Sequence, residues 1–416
     1  MERASLAQAN HWWVREKVDS ELALPFKRDI FSDIDARMKE RFILALIGLR
    51  RVGKTTISYQ LIEKLLKEGV KKENILFFSF DEAVTDLSEV LELYKEVHEK
   101  DFREEKVYIF LDEIQKCDNW ENETKKYYDF YPKIKFIITG SESLFIRKKT
   151  KETLAGRIAE FMILPFKFSE YLRYNNVLES EIKYESKIKP LFAKYIENGG
   201  FPETFGSKNE KNFKEYIQAL VVDKIVYKDI PKRFKIEDPE FLRTLLQLIA
   251  TNPGMYLEYT SISRQFEKDR RMIKNYIIYL KESFLIRMLG NYRKGSTTLR
   301  KIKRVYPTDN GIIKLYKPQI SDDFFGRMVE TAIVNSINAE SFWKNGNEID
   351  IIHHDTPIEV KYQEQINAKD LKPLREFMRK FSKKEGILIT KNDEKETRVE
   401  EGRIKLIPAW KWMLQS

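Results

Sequence analysis

The chain has 416 residues, too many for one hydrophobic core, which sets an expectation of two to four domains. With 42% hydrophobic and 13% aromatic residues it can bury ample apolar surface. A net charge of +10 favours polyanionic partners, although 75 basic residues beside 65 acidic ones also describe an ion-paired surface.

The single cysteine, Cys117, excludes a disulfide framework within the monomer and fits a reducing compartment, where an inert thiol is the expected role. The N-terminus MERASLAQANHWWVREK carries charges where a signal peptide needs an apolar core, and the apolar run FILALIGL is too short to cross a bilayer. The expectation is a cytoplasmic protein. Heavy use of Lys and Glu adds the expectation of a thermophilic microbial source.

From Phe42 to about Phe166, the apolar runs FILALIG, NILFFSF, KVYIFLD, KFIITG and EFMILPF alternate with longer helical stretches. That pattern predicts a parallel sheet covered on both faces. From Ser169 to Ala250 the period turns helical, as in NFKEYIQALVVDKIVYKDI, with a break at NGGFPE. The helical stretches SISRQFE and DRRMIKNYIIYLKESF and the basic ribbon IRMLGNYRKGSTTLRKIKRVY follow, an order that predicts a winged helix-turn-helix. The last hundred residues return to mixed α/β. The expected domains are an α/β core with an N-terminal extension over 1–166, a helical region over 167–250, a winged helix over 251–305 and a mixed α/β domain over 306–416.

The first motif with chemistry is GLRRVGKT, Gly48 to Thr55, which fits G-x-x-x-x-G-K-[ST] between a predicted strand and a predicted helix. Its glycines let backbone N–H groups and a helix N-terminus face a β-phosphate. Gly48, Arg51, Gly53, Lys54, Thr55 and Thr56 are therefore the expected nucleotide-phosphate-binding residues, with Lys54 on the β- and γ-phosphates and Thr55 on Mg2+. VYIFLDE ends in Asp112, suited to the Mg2+ shell, and Glu113, suited to general-base work. KFIITGSES ends in Thr139, Gly140 and Ser141, where a polar side chain can sense the γ-phosphate. Arg157, in LAGRIAEF, is a candidate cation for transition-state charge, supplied in cis or to a neighbouring subunit of a homo-oligomer, with a salt-bridging arginine as the plain alternative.

GLRRVGKTT, YIFLDEIQ, IITGSES, LAGRIAEFMILPFKFSEYL and GGFPE together resemble the archaeal and bacterial AAA-like ATPases with an additional catalytic glutamate and a C-terminal domain of previously unknown function. The resemblance implies a further strand between the glycine-loop and DE strands. It also implies ATP rather than GTP, no NKxD-type guanine signature being visible.

Arg270, Arg271 and Lys274 fall within one turn of a helix whose Met272, Ile273, Tyr276, Ile277 and Leu280 form the opposite stripe, the division a DNA-recognition helix needs. Arg293, Lys294, Arg300, Lys301, Lys303 and Arg304 crowd the ribbon. DNA, single-stranded, duplex or branched, is the expected partner, and a solvated basic face is the alternative.

In NEIDIIHHDTPIEVKYQ, Glu348 and Asp350 share one strand face, and after a turn Glu359 and Lys361 share another. Pairing brings Asp350 near Glu359, and such carboxylates repel unless a divalent cation lies between them. Glu330, on the helix GRMVETAIVNSI, offers a further carboxylate. Glu330, Asp350 and Glu359-x-Lys361 resemble the PD-(D/E)xK nucleases, which implies Mg2+ or Mn2+ held by Asp350 and Glu359 with Lys361 beside them. Glu348-Ile349-Asp350 stands where that family has its PD dipeptide. His353 and His354, adjacent in sequence, are expected to point apart, and Asp309 is expected to cap a helix. The function read from these motifs is an ATP-hydrolysing DNA-binding protein with a metal-dependent deoxyribonuclease, in repair, recombination or processing. An ATP-dependent interaction switch with an inactive nuclease-like domain is the alternative.

Overall fold

Five short runs of apolar residues account for the first sheet. Ile43–Ile47 (β1), Ile75–Ser79 (β2), Val107–Asp112 (β3) and Ile134–Gly140 (β4) are buried at every residue, as strands covered on both faces require. Ile158–Met162 (β5) lies at one edge and is only partly buried. The computed structural model describes residues 3–81, 85–141, 148–182, 184–205, 209–292 and 302–415. They fall into two compact units, Met1–Leu164 and Pro165–Ser416.

In the first unit the strand order is β2-β3-β4-β1-β5, all parallel. β4 thus lies between the strand that enters the glycine loop and the strand that ends in Asp112, as the family resemblance implies. At the outer edge, the side chain of Asn10 imitates a strand. Its Nδ2 donates to the Phe77 carbonyl at 2.9 Å and its Oδ1 accepts from the Phe77 N–H at 2.6 Å. The Trp13 indole donates to the Ile75 carbonyl at 2.8 Å. The N-terminal extension therefore satisfies an edge that would otherwise offer open backbone groups.

The second unit begins with helices. The stretch expected to be helical and amphipathic runs as Glu210–Glu215 in α-geometry and then as wide π turns over Tyr216–Val222 and Ile225–Asp229. Its buried apolar residues explain the difference. Ile217, Val221 with Val222, Ile225 with Val226, and Ile230 recur every four to five residues, a spacing that i→i+5 turns hold on one face better than an α-helix does.

The helix Pro239–Thr251 is followed by the short strand Met255–Tyr256 (β6), the helices Tyr259–Phe266 and Arg270–Glu282, and the strands Ile286–Asn291 (β7) and Lys303–Pro307 (β8). β8 pairs antiparallel with both β6 and β7. The remaining strands are Ser341–Asn345 (β9), Asn347–His353 (β10), Thr356–Lys361 (β11), Glu385–Thr390 (β12), Lys395–Val399 (β13) and Gly402–Pro408 (β14). All nine form one sheet in the order β13-β14-β12-β11-β10-β9-β7-β8-β6. The joint is a parallel pairing of β7 with β9, Gly290 opposite Ser341, so the sheet crosses residues 305 and 306 without a break.

The amphipathic helix Lys372–Phe381 lays Leu374, Phe377 and Met378 against Trp343, Ile349, Leu388 and Leu406. Burial of each such side chain contributes about 1.5–3 kcal/mol. This core fixes β10 and β11 as a hairpin with His353 opposite Thr356. His354 and Asp355 turn it with φ of 45° and 65°. The histidine expectation fails at this turn: the two rings meet with centroids 4.1 Å apart, because positive φ at His354 breaks strand alternation.

Candidate functional site

The glycine loop leaves β1 at Gly48, where a Cβ would meet the Ile163 carbonyl oxygen at 2.1 Å, so only glycine lets the chain pass. The helix Lys54–Lys67 follows directly. The buried Lys54 ammonium donates to the Gly48 and Leu49 carbonyls at 3.1 and 2.9 Å. Arg28, also buried, donates to the Val52 carbonyl at 3.0 Å and to the Leu164 carbonyl at 3.0 Å, bracing the loop from the N-terminal extension. No motif marks Arg28 in the sequence.

The DE strand reaches the same place. The Thr55 hydroxyl donates to Asp112 Oδ1 at 3.0 Å and the Thr139 hydroxyl donates to the same oxygen at 2.7 Å. Burial and then the neighbouring Glu113 raise the Asp112 carboxyl above its ordinary pKa, against the donations from Thr139 and Thr55 and the charge of Lys54. Glu113 sits at φ 52°, and its Oε2 accepts from the Ser141 hydroxyl at 3.0 Å. Gln115 donates to that carboxylate and also to Ser141, at 3.0 Å. The hydroxyl of Thr55 and the carboxylate of Asp112 are hard oxygen donors side by side, a set that fits the Mg2+ of a bound nucleotide.

Arg51 stands in the loop at φ 65°, and Thr56 follows Thr55 in the first helical turn. Arg157 is elsewhere. Its carbonyl accepts from Ile43 at 2.8 Å, at the strands' N-terminal ends, while the glycine loop leaves their C-terminal ends. The length of β1 separates the two, about 16 Å. Its guanidinium pairs with Asp129 at 2.8 Å. Ligands of such sheets bind at the carboxyl ends, the end opposite to this pair.

In the second unit the expected acids do converge. Asp350 N–H donates to Glu359 Oε2 at 3.3 Å, Val360 N–H donates to Asp350 Oδ2 at 2.9 Å, and Lys361 pairs with Glu359 at 2.7 Å. Burial first, then Asp350, raises the Glu359 carboxyl, and the same two causes raise Glu330.

What the sequence reading missed is the cation among them. Arg304, read as a ribbon residue, turns its guanidinium inward. Its Nη2 lies 2.7 Å from Glu330, and its Nη1 lies 3.2 Å from Glu348 and 3.0 Å from Asp350. Its Nε donates to the Gly254 carbonyl at 2.9 Å. Tyr306 donates to Glu330 at 2.6 Å and Tyr256 donates to Glu348. Burial opposes the charge on Arg304, yet Glu330, Tyr306, Asp350 and Glu348 raise its pKa overall. Among the described residues, no group of three or more His, Cys, Asp or Glu side chains is placed to hold a metal ion. The acids in this arrangement do not fit a divalent ion, because Arg304, Lys361 and backbone N–H groups engage the Asp350 and Glu359 oxygens.

On the helix Arg270–Glu282, Arg270, Arg271 and Lys274 are exposed, while Ile273, Tyr276, Ile277 and Leu280 are buried. Asp269 caps the helix by accepting from the Arg271 and Met272 N–H groups. Arg293, Lys294, Arg300 and Lys301 lie outside the described residues. Among the described residues, no helix is long and apolar enough to cross a membrane.

Fold and site together define the first unit as a P-loop ATPase core. Residues 40–172 match the AAA domain family, so the chain carries an AAA-type ATPase domain, and that homology supports ATP hydrolysis. Residues 189–318 and 325–412 match two domains of unknown function, DUF8612 and DUF4143. The chain is similar to uncharacterized protein MJ1544 of Methanocaldococcus jannaschii, 26% identical over 420 residues that span 92% of this chain and 90% of that one. An uncharacterized protein of Haemophilus influenzae is 28% identical over 281 residues, 65% of this chain and 68% of its own. Among solved structures, the Aeropyrum pernix ORC1 protein in complex with DNA is 12% identical, with 74% of this chain and 97% of that one covered and a TM-score of 0.32. Likeness at this level bears on no detail of the site.

Proposed function

We propose that the protein hydrolyses ATP and binds DNA, using the nucleotide to switch or move what its second unit holds. The observation that carries the ATPase half is the meeting of Lys54, Thr55, Asp112, Glu113 and Ser141 at the C-terminal ends of one parallel sheet. Lys54 would neutralise the β- and γ-phosphates, Thr55 and Asp112 would hold Mg2+, and Glu113 would take the proton of the attacking water. Mg2+ supplies charge neutralisation along the phosphates when bound. Ser141 and Gln115 position Glu113.

DNA binding is supported by the order helix, strand, two helices, two strands among the described residues of 239–307, an order compatible with a winged helix. It is supported also by the exposed cations of the last helix in that order, Arg270, Arg271 and Lys274, which face water opposite a buried apolar stripe.

Metal-dependent DNA cutting at Asp350, Glu359 and Lys361 would require Arg304 and Lys361 to release the carboxylate oxygens that they hold. The ion pairs of Arg304 favour a second reading, in which the nuclease-like domain does not cut and serves the switch. One assay separates them: ATP turnover and Mg2+- or Mn2+-dependent cutting of single-stranded, duplex and branched DNA by the parent, Lys54→Ala and Glu359→Ala. Cutting lost in Glu359→Ala with ATPase retained supports the nuclease. Turnover without cutting on any substrate supports the second reading, and no effect of DNA on either activity removes DNA as the partner.

A further inference from the structure

The acidic centre of the second unit brings Glu330, Glu348, Asp350 and Glu359 together, and its chemistry is decided by what neutralises them. Arg304 is built into the centre rather than resting on it. Its three guanidinium nitrogens are all engaged, by Gly254, Glu330, Glu348 and Asp350. A planar fork with fixed donors suits several carboxylates better than a lysine ammonium does.

The seat itself is shaped for it. A Cβ at Gly254 would lie 2.7 Å from Arg304 Nη2, so a side chain there requires the guanidinium to shift. The rings of Tyr306 and Phe342 stand 5.3 and 5.9 Å from the guanidinium carbon. Arg304 itself is 8% exposed.

We propose that Arg304 is the resident cation of this centre, and that it and a divalent metal ion exclude one another. A metal bound by Asp350 would compete with Arg304 for Oδ1 and with the Val360 N–H for Oδ2, and two cations that close in one buried pocket repel strongly. The inference rests on the reading of Asp350 and Glu359 as the metal ligands of a nuclease-like fold. With Arg304 seated the centre is closed to phosphodiester cutting, and opening it requires the guanidinium to leave.

The test measures Mn2+ binding by calorimetry on the full chain, with Asp350→Asn as the reference for any ion bound elsewhere. The parent is expected to show no Mn2+ binding that Asp350→Asn removes. Arg304→Gln is expected to gain one site, at least about tenfold tighter than any in the parent, which Asp350→Asn then abolishes. Asp350-dependent Mn2+ binding in the parent overturns the proposal, and so does a folded Arg304→Gln that gains no site. If circular dichroism shows Arg304→Gln to be unfolded, the parent comparison decides alone. DNA cutting is scored separately: an Arg304→Gln that binds Mn2+ yet cuts no substrate leaves this inference standing and removes the nuclease reading.

Discussion

The hydroxyl of Thr55 donates to Asp112 Oδ1 at 3.0 Å, joining the first turn of the helix after the glycine loop to the tip of a strand two positions away in the sheet. Donor and acceptor are 57 residues apart in sequence, so the contact exists only when the sheet has assembled. Glu113 is held next to it by Ser141 and Gln115. We therefore expect Glu113→Gln to bind ATP with near-parent affinity while turnover falls roughly 10²–10⁴-fold, the usual contribution of a general base. Lys54→Ala should lose nucleotide affinity as well. A fluorescent-nucleotide titration beside a phosphate-release assay checks both, and unchanged turnover in Glu113→Gln would remove it as the base.

The exposed cations of the helix Arg270–Glu282 lead to a prediction about salt. Each neutralised phosphate adds about 0.9 to the slope of log affinity against log salt for duplex DNA. Replacing Arg270, Arg271 and Lys274 by alanine should weaken binding to all sequences alike and flatten that slope by about one for each phosphate no longer neutralised. Binding curves on one duplex over a salt series measure it, and a slope equal to the parent's places the DNA elsewhere.

Asn10→Ala removes two buried hydrogen bonds to Phe77 and leaves the outer edge of β2 open at that residue. A buried group left without its partner costs about 1–3 kcal/mol. The expected result is a lower unfolding midpoint in denaturant and more aggregation on heating, read by light scattering. Parent-like stability would show that the extension does not protect the edge.

Asp309 supplies a pH signature. Burial pushes its carboxyl up to about 7, against donations from the Gly200 and Gly311 N–H groups. Between its ordinary value, about 4, and that raised value the folded state holds a proton that the unfolded chain has released. The contribution of this group to stability therefore falls as pH rises through that window and is level above it. Denaturant unfolding from about pH 4 to 8 should show a decline in the parent that is shallower in Asp309→Asn, and identical slopes would refute it.

Much of the first unit was legible because its signals are local. A glycine loop between an apolar strand and a helix, and two acids at a strand tip, name their own positions, and the family resemblance supplied the strand between them. The acid hairpin was legible for a similar reason: Glu348 with Asp350, and Glu359 with Lys361, follow strand alternation. Arg304 was not. It lies in a run of basic residues where nothing local separates an inward arginine from an outward one, and its partner Asp350 is 46 residues further along the chain, brought near by the β7–β9 pairing. The one available signal was that Arg304 and Tyr306 share a strand face, an arginine aligned with a residue destined for the core. The wide turns of Tyr216–Asp229 escaped because a spacing of four to five residues passes for a helix in a short window. Arg157 needed the direction of the sheet, which a spacing does not carry.

The unbroken ladder from β13 to β6 has a practical outcome for anyone wishing to dissect the molecule. Severing the chain after residue 305 would tear a hydrogen-bonded seam, leaving raw margins on both fragments. The C-terminal piece would be parted from its arginine as well, with crowded carboxylates stranded in an apolar shell. What looks in the sequence like a convenient joint between modules is, in the folded protein, a place where a cut harms both halves.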